Sequence, residues 1–209
     1  SIPEEVTVVV HTNPLWLTAA HPFLPAARWS AAPAGRRYLA GWAMVTELHV
    51  LNDTHMERRA AGDDSCEALR GTAERLYAQL VIAHNNTDLP PSWTPRRFAR
   101  YLRWAWLVEG GAQYFSRQVG FYRPAVIRRL RESARPSFPP SRRDAVILGG
   151  TIFDLLEMER GSEACERLAL KLLPGGAVPT IEAAFDARFR EIEDAWRGYL
   201  REIARPNGG

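Results

Sequence analysis

The sequence predicts an α+β fold: a small β-rich lobe over residues 1–62, then a helical lobe over 63–204, together one compact unit. Three observations lead there. The first is a β-branched run, Val6-Thr7-Val8-Val9-Val10, followed later by two further apolar stretches that end at Asn52-Asp53. The second is a change of apolar period, from two to about 3.6, near residue 66. The third is the proline and glycine punctuation at Leu89–Pro95, Arg135–Pro140 and Pro174–Gly176, which divides the remainder into helix-length pieces. At 209 residues, with 46% hydrophobic and 24% charged side chains, the chain can bury one core, which excludes a disordered or collagen-like protein.

In order, Val6–Val10 is predicted as a strand bounded by Pro3 and Asn13-Pro14. Pro22, Pro25, Pro33 and Gly35 mark residues 13–36 as irregular. Tyr38–Val45 and Glu47–Leu51 read as two strands forming a hairpin. Leu69, Ala73, Leu76, Leu80 and Ala83 then fall on one stripe, giving a helix of about 66–86. Proline restricts the residue before it and offers no amide proton, so Leu89-Pro90-Pro91 ends that helix. Further helices are expected from Arg96 to Gln118, Pro124 to Ser133, Arg143 to Arg160, Ser162 to Leu173, and over 179–187 and 190–204.

The net charge is +3, and all 27 basic residues except Lys171 are arginine. The arginine pairs at 36–37, 58–59, 96–97, 128–129 and 142–143 are spread among 24 acidic residues, whereas phosphate-tracking surfaces concentrate their charge. This argues against nucleic acid as the partner. Cys66 and Cys165 form no CxxC pair and leave two states open, one long-range disulfide or two free thiols. No apolar run has the length of a membrane span. The chain starts at Ser1 rather than Met, so the expectation is a trimmed signal, anchor or tag, with the compartment left open and an extracytoplasmic one admitted.

The most informative segment is Trp104–Phe115, where Glu109 is embedded in an apolar helix. Burying a carboxylate there requires a cation or several donors. Upstream stands Leu80-Val81-Ile82-Ala83-His84-Asn85-Asn86-Thr87-Asp88. If the helix runs through Asp88, His84 and Asp88 share a face at the i, i+4 spacing by which HExxH helices present two zinc ligands. Glu109 then sits where a third ligand would come from.

These segments resemble the gluzincin metallopeptidases, the thermolysin-like group. Leu80–Asp88 is similar to the zinc helix and Trp106–Phe115 to a WLxEGxAxYF pattern. Leu148–Leu156 with Gly161, and Ile181–Leu200 with Trp196, are similar to the later helices of small bacterial members. The resemblance implies a zincin-like fold whose active-site helix is the one over 66–86. It further implies a peptide cleft walled by aromatics such as Trp106 and Tyr114, and metal ligands at His84, Asp88 and Glu109.

The departures change the expected activity. Asn85 stands where the family has its general base and cannot accept a proton from metal-bound water. Asp88 replaces the second histidine, which weakens zinc and leaves Zn or Mn at low occupancy as the most a cofactor site would hold. Val146 lies near the family's tyrosine position. The expected outcome is a pseudo-peptidase that retains a cleft for a peptide or protein segment without cleaving it. The alternative is a divalent-metal-dependent hydrolase using His84, Asp88 and Glu109. With the base gone, Glu109 held by His84 or an arginine, with Arg100 and Arg103 nearby, is the metal-free outcome. A second register, Val45-Thr46-Glu47-Leu48-His49 with His55, ranks behind because its surroundings favour a strand.

Overall fold

The computed structural model describes residues 5–132 and 135–205. Ser1–Pro3 and Ser133, which bounded two of the predicted elements, lie outside them. The β lobe is a three-stranded sheet of order β1-β3-β2, formed by β1 (Thr7–His11), β2 (Gly41–Ala43) and β3 (Glu47–Leu51). β2 and β3 make the predicted antiparallel hairpin, with Trp42 opposite His49. β1 pairs parallel to β3, with Val8 opposite Leu48 and His11 opposite Leu51.

Parallel pairing requires a crossover, and residues 13–36 supply the start of it as three short helices, not as irregular chain. They are α1 (Pro14–Ala20), α2 (Leu24–Ser30) and α3 (Pro33–Arg36), each with a proline in its first turn. A proline there costs nothing because the first amides of a helix lack intrahelical acceptors, so Pro14, Pro25 and Pro33 start helices instead of breaking them. Asn52 likewise caps a helix, its side chain accepting from the His55 amide, and α4 (Asp53–Arg59) follows where a turn was expected.

The helix expected over about 66–86 is two, α5 (Asp63–Arg70) and α6 (Thr72–Asn85), separated at Gly71. α7 (Pro95–Phe115) begins at the Thr94 cap, whose hydroxyl accepts from the Arg97 amide. A 3-10 turn at Val119–Tyr122 leads to α8 (Arg123–Arg131), α9 (Ala145–Arg160), α10 (Ser162–Leu170), α11 (Ala177–Phe185) and α12 (Phe189–Ala204). Gly110 and Gly149 set the crossing of α7 and α9: a Cβ on Gly149 would stand 2.6 Å from the Trp106 carbonyl oxygen, so backbone meets backbone there. One apolar cluster runs from Leu17 through the sheet to Ile203. No helix among the described residues is long and apolar enough to cross a membrane.

The two sheet edges differ. The register with β3 turns the carbonyl of Ala43 outward, where it accepts a 2.8 Å hydrogen bond from the Trp93 indole. Along β1, Thr7 donates to Thr46 and His11 accepts from Asn52, so the alternate residues Val8 and Val10 point their backbone groups away from the sheet.

Candidate functional site

Glu109 is 1% exposed and held by side-chain donors at both carboxylate oxygens. Nη1 of Arg75, on α6, donates to its Oε2 at 2.8 Å, and the Tyr101 hydroxyl donates to its Oε1 at 2.6 Å. Nη2 of Arg75 donates to the Tyr38 carbonyl at 2.9 Å, while its Nε is buried without a partner. Burial opposes the Arg75 charge, but Tyr122, Glu109 and Tyr101 outweigh it and raise its pKa above the ordinary value. Burial, and then the Glu109 charge, drive the Tyr101 pKa well above the usual phenol, so it stays a donor. An arginine does hold Glu109, as the metal-free expectation had it, but it is Arg75 from the preceding helix and not Arg100 or Arg103.

The predicted ligand set is not assembled. α6 ends at Asn85, where Asn-Asn-Thr-Asp and the prolines turn the chain, so Asp88 is not on the helix face of His84. His84 and Asp88 are both exposed, and Asp88 pairs with Arg100 at 3.4 Å. Asn85, on the general-base position of the resemblance, donates from Nδ2 to the Val81 carbonyl. The i, i+4 pair that α6 does turn toward α7 is Arg75 and Gln79, the latter with a buried, unpartnered Nε2.

The other predicted positions are structural. Trp106 is 2% exposed and belongs to the core, so it walls no cleft. Tyr114 stacks on Phe153, and burial followed by its hydrogen bond with Glu157 raises its pKa. Val146 is buried and its carbonyl accepts from Gln113 at 2.7 Å. Both cysteines are free thiols.

A groove of about 960 Å³ lies between β1 and the helices. Its floor is the outer face of α6, including Ala73, Tyr77 and Val81; its walls include Val8 on one side and Phe115 and Leu170 on the other. Val8, Tyr77, Phe115 and Leu170 are each more than a third exposed, so the groove is apolar and open.

The opposite sheet face carries histidines. His11, His21 and His49 each offer a ring nitrogen within 4.8 Å of the others, and they are the one such group of three among the described residues. His11 Nε2 is 2.9 Å from His49 Nδ1, and His49 Nε2 is 3.0 Å from Glu47 Oε2. His21, the C-terminal cap of α1, is buried with neither nitrogen partnered. Burial, then the neighbouring His49 and His11, lower its pKa to about 4, with Glu47 opposing. Burial and His49 also lower the pKa of His11.

Of the two histidines in the lower-ranked register, His49 lies in this cluster and His55 does not. His55 turns away and bonds the Thr12 carbonyl through Nε2 at 2.8 Å. His11 and His21 gave no signal in the sequence, because β1–β3 pairing and the end of α1 bring them together across 38 and 28 residues from His49. Against protein-family models, curated proteins and solved structures, this chain finds no match.

Proposed function

We propose that this chain is a catalytically silent, gluzincin-like binding protein whose open groove receives an extended peptide segment without cleaving it. The observation that carries the reading is the junction of an apolar groove with the edge of β1, which no strand among the described residues pairs. A peptide adding a strand there gains main-chain hydrogen bonds from Val8 and Val10, and every second side chain enters the groove. Because Trp93 caps the other edge, β1 is the edge that accepts such a strand. The ligand class is therefore an extended segment with apolar residues at alternate positions.

Support for silence comes from the helix pair behind the sheet. In the gluzincin pattern a divalent ion joins the active-site helix to a glutamate on the next helix. Here the guanidinium of Arg75 faces Glu109 in that role, and Gln79 stands four residues on. An arginine is always protonated, binds no metal and activates no water. The hydrolase alternative based on His84, Asp88 and Glu109 gains no support, since those residues lie apart.

The test is selection of a displayed random-peptide library on the chain, with Val8→Lys as the control. Expected is enrichment of alternating apolar peptides that Val8→Lys abolishes and that mass spectrometry recovers uncut. Equal enrichment by Val8→Lys, or chelator-sensitive cleavage of the selected peptides, would overturn the reading.

A further inference from the structure

We propose that His11, His21 and His49 form a binding site for a divalent transition-metal ion, zinc in the first instance, on the sheet face opposite the groove. The register places them there. Val8 and Leu48 face α6, so the alternate positions, Glu47 and His49 on β3 and His11 on β1, project to the other side, where α1 packs and ends at His21.

Three imidazoles within 4.8 Å of one another suit zinc, copper or nickel rather than magnesium or manganese. Two nitrogens bound at about 2.0–2.1 Å to a tetrahedral ion lie about 3.3–3.4 Å apart. The His11–His49 separation of 2.9 Å is close to that value, so a small rotation of either ring admits the ion. His11 is only half-buried, which leaves the fourth position reachable by water, the open arrangement of three-histidine zinc sites.

A second, independent feature points to a ligand. His21 is 3% exposed and neither ring nitrogen has a partner. An unpaired buried polar group costs about 1–3 kcal/mol, and native proteins satisfy most of them. A metal bound to one nitrogen removes half of that deficit, since the other nitrogen then carries the ring proton.

Glu47 completes the arrangement. With His49 neutral, its Nε2–H donates to Glu47, which leaves the Nδ1 lone pair facing His11 and His21. Carboxylates fix metal-binding histidines in this way, setting the tautomer and raising the ring's basicity. His11 then donates from Nε2 in the metal-free state. On binding, its proton moves to Nδ1, which frees Nε2 with no net proton released.

The experiment uses the untagged chain, stripped with chelator, dialysed against zinc and analysed for bound metal, with circular dichroism to confirm folding. Expected is about one equivalent of zinc, accompanied by a zinc-dependent rise in Tm. His11→Ala and His49→Gln lose the equivalent, and Glu47→Gln weakens binding about 10–100-fold. His84→Ala, exposed on α6, leaves it unchanged. His11 and Glu47 are at the rim of the site, so their variants remain informative even if a His49 variant folds poorly. A folded wild type that holds no zinc, or zinc retained equally by His11→Ala and Glu47→Gln, overturns the assignment.

Discussion

Two of the polar centres that the chain buries are finished differently. Between α6 and α7, Arg75, Glu109 and Tyr101 satisfy one another: both carboxylate oxygens are occupied, and only the Arg75 Nε is left over. Beneath α1, His11, His49 and Glu47 form a hydrogen-bonded chain that stops short of His21, whose ring packs edge-on against His49 while neither of its nitrogens has a hydrogen-bond partner. A closed centre contributes to the fold and leaves no carboxylate oxygen for an outside ligand. An open one carries a cost in the isolated chain and keeps its lone pairs available. Burial of a charge in an apolar helix therefore does not by itself indicate a ligand site: Glu109 spends both carboxylate oxygens on the fold, whereas both His21 nitrogens stay open beside two further imidazoles.

The sharpest way to break the comparison is Arg75→Met, which leaves Glu109 buried and uncompensated. The expected loss is about 3–5 kcal/mol in urea unfolding, and Arg75→Met with Glu109→Leu recovers most of it because no unpaired charge remains. If the double variant is no better than the single, the pair is not the closed unit described here. Tyr101→Phe removes one charge-assisted hydrogen bond, with an expected cost of about 1.5–3 kcal/mol.

The open centre should respond with the opposite sign. His21→Phe replaces an unsatisfied ring by an apolar one of similar shape, so the metal-free chain is expected to keep or gain up to about 1 kcal/mol. The same variant should lose the zinc-dependent rise in Tm. A metal-free loss as large as that of Tyr101→Phe would show that His21 is already satisfied. The smallest effect distinguishes the thiols. Cys165 is buried and donates to the Phe153 carbonyl, and burial pushes its pKa up to about 11, whereas Cys66 is partly exposed. Iodoacetamide at pH 8 should therefore alkylate Cys66 in the native protein and Cys165 only after unfolding, read by intact mass with no change in Tm.

How much of this was legible depends on sequence distance. β1, β3 and the helices from α7 onward follow local periodicity and punctuation and appear close to where those signals put them, whereas the strand expected over Tyr38–Val45 is only Gly41–Ala43. The prolines at 14, 25 and 33 misled because the same residue stops a helix from inside and starts one at its first turn. Glu109 was identifiable as a buried carboxylate needing a cation. Its partner Arg75, 34 residues upstream, was not, since every arginine in the chain offers the same charge. Placing the ligands at His84 and Asp88 assumed a helix that ends three residues too soon. The three histidines required the parallel register of β1 on β3, which strand prediction alone does not contain.

The Trp93 indole on the Ala43 carbonyl has a consequence for assembly. A sheet with two bare edges can propagate, each added chain offering a fresh edge to the next. In this sheet the β2 side meets an aromatic ring, and among the described residues β1 is the edge left without a covering strand. Two copies related by a two-fold axis can join β1 to β1 antiparallel, and that act uses the last free edge of both. Association of that kind terminates at the pair, because an edge that takes one strand leaves none to seed fibres.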